Sequence, residues 1–238
     1  MSGAAWLTVR PIAHRGLHDA SRGIVENTLG AAAAAAAAGY GVEVDIRLTA
    51  DEGVAVFHDD TLDRLTTSAG SLARFTAAEL RTVAIRESRE RIPILEELLE
   101  TIAGRVPLVL ELKTVRGDRG RLVRRVLAAI EPYRGNVALM SFDAGAMALI
   151  AASPRAAPLG LVAASNATAL AALARWRASQ RALPHFLAFG ATALPAWVAA
   201  AFRRQARPVL AWTVRSAAEA ARLRPFVDQI VFEHFLPV

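Results

Sequence analysis

Short apolar runs alternate with segments rich in alanine, leucine and arginine along most of the sequence. The apolar runs have the length of strands, and most of the segments between them have the length of helices. Strands joined by helices run parallel, so this rhythm predicts a parallel sheet with helices packed outside it. The predicted strands are Val9–His14, Val42–Thr49, Val54–His58, Pro107–Lys113, Asn136–Phe142, Pro158–Val162, His185–Gly190, Val209–Val214 and Gln229–Glu233. The predicted helices are Leu29–Ala38, Ile94–Ala103, Arg119–Ile130, Ala144–Ala152, Ala167–Arg177, Pro195–Arg204 and Ser216–Leu223.

Two of the predicted strands are too close together for a parallel connection. Only residues 50–53 separate Val42–Thr49 from Val54–His58, so these two strands predict an antiparallel hairpin that projects beyond the rim of the sheet. The remaining strands match an eight-stranded barrel. Pairing Thr49 with Val54 would place Asp45 opposite His58 on one face.

The composition limits the class of protein. The chain has 238 residues, 54% of them hydrophobic, and no linker rich in glycine, proline or serine, which predicts a single domain over residues 1–238. The absence of cysteine excludes disulfides, thiol catalysis and cysteine-ligated metals. The amino-terminal residues lack a basic and then apolar signal pattern, and no apolar run approaches the roughly 18 residues that span a bilayer. We therefore expect a cytoplasmic protein without membrane insertion.

The distribution of the basic residues favours a small anionic substrate over nucleic acid as the partner. The net charge is +6, but the arginines are scattered and few aromatic residues are available for base stacking. Lys113 is the only lysine among 28 Lys and Arg residues. A single lysine in an arginine-rich chain indicates a position that needs a compact ammonium group rather than a planar guanidinium.

Three carboxylates form a candidate metal site. Glu43 and Asp45 alternate with apolar residues, so strand geometry places both on one face, and Glu111 on the next barrel strand can add a third oxygen ligand. Like charges held in a barrel mouth require a cation, and carboxylate ligands favour Mg²⁺ or Ca²⁺. The alternative is a half-exposed strand whose polar side chains face water.

Two histidines each end a predicted strand, where the active sites of barrels lie. His14 and His58 are therefore candidates for acid–base chemistry. Arg15 can form a two-pronged contact with a phosphate, and Lys113 shares the strand face of Glu111. We expect no chemical role for the other histidines, His18, His185 and His234.

An ordered set of motifs resembles the signature of the glycerophosphodiester phosphodiesterase family over nearly the whole chain. The motifs are Ala13-His14-Arg15-Gly16, Glu26-Asn27-Thr28, Glu43-Val44-Asp45, Phe57-His58-Asp59, Thr61-Leu62-Asp63-Arg64, Ile92-Pro93-Ile94-Leu95-Glu96-Glu97, Glu111-Leu112-Lys113, Ser141-Phe142 and Ala211-Trp212-Thr213-Val214. The resemblance implies an α/β fold, a TIM barrel with a small insertion after the hairpin, at about Asp60–Arg91. It also implies metal-dependent hydrolysis of glycerophosphodiesters to glycerol 3-phosphate and an alcohol.

The resemblance also assigns roles to individual residues. One divalent cation would be held by Glu43, Asp45 and Glu111, with His14 and His58 as the acid–base pair. Substrate would be bound by Arg15 and Lys113 at the phosphate and by Trp212 at the alcohol, with Glu26 supporting His14, Arg15 or the metal.

The chain departs from the family pattern at three places. Val25 stands where a proline usually precedes the Glu-Asn-Thr segment, and Arg215 stands where an asparagine is common after Trp-Thr-Val. Phe232-Glu233 replaces the usual Thr-Asp pair of the last strand. The second and third changes put the preferred alcohol in doubt.

Two other functions stay open at this point. A lysophospholipase D-type enzyme would need an apolar approach to the barrel mouth, for which the insertion offers Leu62, Leu65, Leu72 and Phe75, although internal packing explains these equally well. A barrel that binds a phosphorylated ligand without catalysis would not need the full set of histidines and carboxylates. The sequence leaves open the alcohol, the choice between Mg²⁺ and Ca²⁺, and the oligomeric state. It also leaves open which histidine is the acid and whether water or the glycerol hydroxyl is the attacking group.

Overall fold

A closed barrel forms the centre of the protein. The computed structural model describes residues 4–115, 117–153, 157–178 and 183–237, so the expected domain limits, Met1 and Val238, lie outside the described residues. Within these ranges eight parallel strands pair edge to edge and close into a cylinder surrounded by helices, which confirms the predicted TIM barrel. The strands are β1 (Ile12–Ala13), β2 (Gly41–Leu48), β4 (Leu108–Leu112), β5 (Val137–Ser141), β6 (Leu159–Ala163), β7 (Phe186–Gly190), β8 (Val209–Val214) and β9 (Gln229–Phe232), with the short β3 (Val54–Val56) antiparallel to β2.

The helices begin where polar residues can cap them. Thr28 accepts a hydrogen bond from the Ala31 N–H at 3.2 Å, and Asp143, Ser165 and Ser216 cap later helices in the same way. No helix of the described residues is long and apolar enough to cross a membrane. The helices are α1 (Leu29–Ala37), α2 (Ala77–Leu80), α3 (Leu95–Ile102), α4 (Arg119–Ile130), α5 (Ala144–Ala151), α6 (Asn166–Arg177), α7 (Trp197–Arg204) and α8 (Ala217–Leu223). Short 3₁₀ helices span Ala5–Thr8, Ala20–Arg22, Leu72–Arg74 and Ala191–Ala193.

Strand alternation divides the core into two layers. Outward-facing residues of the strands pack against the helices in one large cluster that includes the buried alanines of α1. Inward-facing residues fill the barrel in a second cluster. Its members are Ala4, Leu7, Ile12, Val109, Ala138, Met140, Val162, Phe186, Ala188, Leu210 and Val231. The same inward face of β2 and β4 carries carboxylates nearer the carboxyl ends of the strands, which places charged groups at the mouth.

The predicted strand Val9–His14 is mostly wrong. Only Ile12 and Ala13 lie in β1, while Val9 is 73% exposed. Pro11 has no N–H to donate to a ladder, and the 3₁₀ helix before it turns the chain so that Leu7 closes the barrel interior from below. The strand is therefore short, and His14 follows it in a turn.

The hairpin forms as predicted, but its register is wrong by one residue. Leu48 pairs with Val54, and Asp45 accepts a backbone hydrogen bond from Phe57 rather than lying opposite His58. The turn therefore contains residues 49–53, one more than predicted. Glu52 adopts a positive φ of 62° in it, and the Asp51 carboxylate accepts hydrogen bonds from the Thr49 hydroxyl and the Ala77 N–H.

The segment between β3 and α3 is the expected insertion, and it has a hydrophobic core of its own. Leu62 and Leu72 are buried in this core together with Phe57, and Leu65 and Phe75 pack against it half-buried. The helix α2, which the sequence did not predict, lies within the segment. Internal packing therefore accounts for the apolar residues that an approach for acyl chains would have used.

A methyl group added inside the barrel should destabilise the protein. A Cβ on Gly160 would lie 2.2 Å from the ring of the buried Phe186, its neighbour on the adjacent strand. We expect Gly160→Ala to lower the free energy of unfolding by about 1–3 kcal/mol, measured by urea denaturation. In the control, Gly120→Ala in α4, the added Cβ would meet only the Arg124 guanidinium among the described residues, at 3.9 Å, beyond its chain neighbours and its own helix backbone. This substitution should raise stability by about 0.5–1 kcal/mol. Equal effects of the two substitutions would contradict this packing.

Candidate active site

Three buried carboxylates meet at the barrel mouth. Glu43 and Asp45 project from the inward face of β2, and the parallel register places Asp45 beside Glu111 of β4. One oxygen from each side chain lies within 4.8 Å of the others. Glu43 and Asp45 are each 1% exposed and Glu111 is 8% exposed. Such a cluster is unfavourable unless positive charge or protons neutralise it.

The electrostatics of the three carboxyl groups differ. Burial, followed by repulsion from Asp45 and Glu111, raises the pKa of Glu43 well above its usual value. Burial and the charge of Asp45 raise the pKa of Glu111 to about 7. Burial also acts to raise the pKa of Asp45, but Lys113 and Arg15 act in the opposite direction and leave it below its usual value.

Two basic side chains compensate for part of the negative charge. The Lys113 Nζ lies 3.1 Å from Asp45 Oδ1 and 2.5 Å from Glu111 Oε1. The Arg15 Nε lies 3.2 Å from Asp45 Oδ2. Both cations are mostly buried, with 17% of each side chain exposed, so they face the site rather than solvent. Both lower the pKa of Asp45 and so favour its ionised form.

The Glu43 carboxylate is incompletely satisfied, and the buried Glu111 Oε1 has only its ion pair with Lys113 within the part of the chain that the structure describes. One oxygen of Glu43 accepts a hydrogen bond from the Arg15 backbone N–H at 3.1 Å. The other, Oε1, is buried and has no hydrogen-bond partner among the described residues. An unpaired buried carboxylate oxygen beside two further carboxylates suits a hard divalent cation, which prefers several oxygen ligands. The donor set therefore fits a metal of this class.

A tight turn after β1 delivers Arg15 to the cluster. Arg15 has a φ of 55° and Gly16 a φ of 79°, both in the left-handed region. A Cβ on Gly16 would lie 2.7 Å from the Ala31 carbonyl carbon, so only glycine fits at this approach to α1. The Gly16 N–H donates to the Glu43 carbonyl at 3.1 Å and ties the turn to β2.

The Glu26-Asn27-Thr28 segment supports this turn from the side. Asn27 donates from Nδ2 to Asp45 Oδ2 at 2.9 Å and accepts from the Asp45 N–H at 3.1 Å. Glu26 accepts from Arg15 Nη1 at 2.6 Å, so of the three partners expected for Glu26 it contacts Arg15. No role at the site was predicted for Asn27, although it lies inside a motif that carries the family resemblance.

Each of the two candidate acid–base histidines is hydrogen-bonded to a carboxylate. His14 Nδ1 lies 2.6 Å from Glu233 Oε2, and His58 Nδ1 lies 2.7 Å from Asp59 Oδ1. These contacts fix the ring orientations and leave Nε2 of each imidazole to exchange a proton. Burial lowers the pKa of His14, although Glu233 acts to raise it. His58 is near enough for its charge to lower the pKa of Asp45.

Arg64 joins the insertion to the site and was given no role from the sequence. Its guanidinium donates to Asp59 at 2.6 and 3.1 Å and to Glu26 at 2.8 and 3.2 Å. It therefore contacts both the carboxylate that orients His58 and the carboxylate that holds Arg15. Asp59 was likewise missed. Both residues belong to motifs that carry the resemblance, which is the signal that marks them.

Two aromatic side chains, Phe142 and Trp212, border the mouth of the barrel. Trp212 on β8 makes an edge-to-face contact with Phe142, with ring centroids 5.5 Å apart. Phe142 is 43% exposed, and the Lys113 ammonium lies 5.8 Å from its ring centroid. Trp212 Nε1 is buried without a hydrogen-bond partner among the residues described. This apolar edge lies beside the cationic group that faces the carboxylates.

The other histidines lie in two different places. His185 precedes β7 at the amino end of the barrel, where its Nδ1 accepts from the Leu159 N–H at 3.0 Å. His18 and His234 lie near the mouth, at 3.8 and 3.4 Å from the Glu233 carboxylate. These contacts are made to Glu233 and not to the cluster of Glu43, Asp45 and Glu111.

Comparison with known proteins decides the family. The model of the glycerophosphoryl diester phosphodiesterase family matches residues 14–234. The chain belongs to this family. A glycerophosphodiester phosphodiesterase of Caldanaerobacter subterraneus subsp. tengcongensis is 37% identical over 130 residues, 51% of this chain and 52% of that protein. One of Bacillus altitudinis is 32% identical over 148 residues, 58% of this chain and 59% of that protein.

The chain spans about half the length of the curated relatives it matches. A solved structure extends the similarity of fold to almost the whole of both chains. It is an Oleispira antarctica phosphodiesterase with a TM-score of 0.82 and 24% identity, covering 95% of this chain and 94% of that chain. At this identity the match establishes the fold.

Cation binding should weaken as the pH falls. The pKa of Glu111 is raised to about 7 and that of Glu43 is raised by burial, so protons compete more strongly with a divalent cation for these groups as the pH falls. We expect calorimetric titration to give a lower affinity for Mg²⁺ or Ca²⁺ at about pH 6 than at about pH 8, with up to about tenfold per pH unit for each proton displaced. Glu111→Gln should reduce this dependence. An unchanged affinity across that range would exclude these carboxylates as ligands.

Proposed function

We propose that this protein hydrolyses glycerophosphodiesters to glycerol 3-phosphate and an alcohol. The observation that carries the proposal is the pairing of a buried carboxylate cluster with two carboxylate-bound imidazoles at one barrel mouth. Membership of the family supports the same reaction class. The Oleispira antarctica neighbour was solved in complex with the product sn-glycerol-3-phosphate, which is the phosphate product proposed for this chain.

The carboxylate cluster is proposed to hold one divalent cation, Mg²⁺ or Ca²⁺, through Glu43, Asp45 and Glu111. Bound there, the cation would supply electrostatic stabilisation of the charge on the phosphate oxygens. The unpartnered Glu43 oxygen and the raised pKa values of Glu43 and Glu111 support this assignment, because both are features of a site that lacks enough positive charge.

Arg15 and Lys113 are proposed to bind the phosphate. Both cations are held by carboxylates of the site, which orients their remaining N–H groups. Glu26 positions Arg15 through the 2.6 Å hydrogen bond to Nη1. The planar fork of Arg15 suits two phosphate oxygens, and the compact Lys113 ammonium suits the crowded floor of the mouth.

His14 and His58 are proposed to move the two protons of the reaction. One imidazole Nε2 removes a proton from the attacking oxygen, and the other donates a proton to the oxygen of the leaving alcohol, so the phosphodiester P–O bond breaks as the new one forms. Each ring is hydrogen-bonded through Nδ1 to a carboxylate, which leaves its Nε2 available for this step. Trp212 is proposed to border the alcohol.

The histidine roles are tested by matched substitutions. We expect His14→Ala and His58→Ala each to lower kcat by about 10²–10⁴-fold, because general acid–base catalysis has that magnitude. His185→Ala is the control, since His185 lies at the amino end of the barrel and should leave kcat unchanged. If His14→Ala hydrolysed substrate as fast as the wild type, the assignment of His14 would be wrong.

The reaction itself is tested by measuring glycerol 3-phosphate released from glycerophosphocholine. We expect turnover that exhaustive EDTA treatment abolishes and added Mg²⁺ or Ca²⁺ restores. Lysophosphatidylcholine should be hydrolysed more slowly, because the apolar residues of the insertion are used in its own core. Faster turnover of lysophosphatidylcholine would favour a lysophospholipase D-type activity, and binding of glycerophosphocholine without any hydrolysis would favour a binding barrel.

A further inference from the structure

Glu233 brings a carboxylate from the last barrel strand to the first. It follows β9 directly, and its side chain, 9% exposed, reaches across to His14, whose ring is 13% exposed. The Nδ1 to Oε2 distance of 2.6 Å is short for a hydrogen bond between nitrogen and oxygen, as expected when the acceptor is charged. His14 follows β1 at the neighbouring position of the barrel, since β1 and β9 pair in parallel.

A second residue holds the carboxylate in place. Arg215 Nε lies 2.7 Å from Glu233 Oε1, so the two oxygens of Glu233 have different partners. Arg215 follows β8 and Glu233 follows β9, so their contact joins two neighbouring strands at the mouth of the barrel.

The protonation states of the pair are consistent with a directed hydrogen bond. Burial acts to raise the pKa of Glu233, but the hydrogen bond from His14 and the charge of Arg215 lower it far below its usual value. Burial lowers the pKa of His14, so the neutral imidazole donates from Nδ1 to an ionised carboxylate. A carboxylate on Nδ1 selects the tautomer that leaves Nε2 free to accept a proton.

We propose that Glu233, held by Arg215, is the positioning residue for His14, and that it fixes the ring orientation and tautomer needed at the reacting phosphodiester. The proposal rests on the proposed function, because it concerns the efficiency of His14 in that reaction. Glu233 does not touch the substrate in this scheme, and it acts through the imidazole alone.

Substitution of each partner tests the proposal kinetically. We expect Glu233→Gln, which keeps the shape and removes the charge, to lower kcat by about 10- to 100-fold with little change in KM. Glu233→Asp keeps the charge on a shorter arm and should retain more activity than Glu233→Gln. Arg215→Ala should give a smaller fall, and Arg215→Lys should recover part of it. Arg215 is 59% exposed, so its loss should not prevent folding.

A matched control lies at the opposite end of the barrel. Arg203 makes a similar ion pair with Asp228, at 3.0 Å, just before β9 begins. Arg203→Ala therefore removes an arginine–carboxylate contact without approaching His14 and should leave kcat unchanged. Equal losses from Arg203→Ala and Arg215→Ala would mean that the effect is general stability, which would overturn the proposal.

The pH profile separates positioning from a merely structural role. The charged groups facing His14 are Arg15, Asp45 and Glu233, and Glu233 in turn faces His18, Arg215 and His234. Since Glu233 raises the pKa of His14, Glu233→Gln should move the His14 limb of the kcat/KM profile to lower pH. A profile and a kcat identical to those of the wild type would overturn the proposal.

A spectroscopic measurement keeps this proposal distinct from the proposed function. Long-range ¹H–¹⁵N spectra of the wild type should show the neutral His14 ring protonated on Nδ1, and Glu233→Gln should weaken that preference. A wild-type ring protonated on Nε2 would overturn the positioning role. If the wild type hydrolysed no glycerophosphodiester, the proposed function would fail, whereas normal hydrolysis by Glu233→Gln would refute only the role of Glu233.

Discussion

The repulsion among three buried carboxylates governs the arrangement of the barrel mouth. Glu43, Asp45 and Glu111 are taken out of water by the closure of the barrel, and their negative charge cannot be screened by solvent there. Lys113 and Arg15 offset part of this negative charge. Together they favour ionisation of Asp45 but leave the pKa values of Glu43 and Glu111 raised. The surrounding turns and hydrogen bonds serve to hold these two cations against the cluster. The same shortage of positive charge makes the site suitable for a divalent cation.

The closed barrel makes this concentration of charge possible. Apolar side chains fill its interior below the mouth. The inward positions of β2 and β4 therefore continue from this packed interior up to the carboxylates. Helices on the outside use a separate set of apolar residues, and the insertion uses a third. Because each layer has its own packing, the polar residues at the carboxyl ends of the strands can be arranged for chemistry rather than for stability. Arg64 and Glu233 extend that arrangement to two segments far apart in the sequence.

Particular elements show where reasoning from the sequence succeeded. The helix α4 and the strand β8 have the predicted bounds, because alternation and helical periodicity are local properties. The pairing of Glu43 with Asp45 on one strand face follows from the same local rule. The hairpin register was predicted wrongly because the turn contains one extra residue. Asp51 stabilises that turn by a hydrogen bond, and hydrophobic periodicity does not report such a local contact. The first strand failed because a 3₁₀ helix and Pro11 shorten it.

The sequence by itself determined the parallel barrel, the hairpin, the candidate ligands Glu43, Asp45 and Glu111, and the two histidines at strand ends. These depend on periodicity, on chain order and on which residue types stand at strand termini. Only the tertiary structure decided the partners that give these residues their chemical state. Glu233 lies 219 positions from His14 in the chain, and Arg64 lies 38 from Glu26, so neither contact leaves a periodic signal. Closure of the barrel and docking of the insertion bring these charges together, and burial makes their interactions strong.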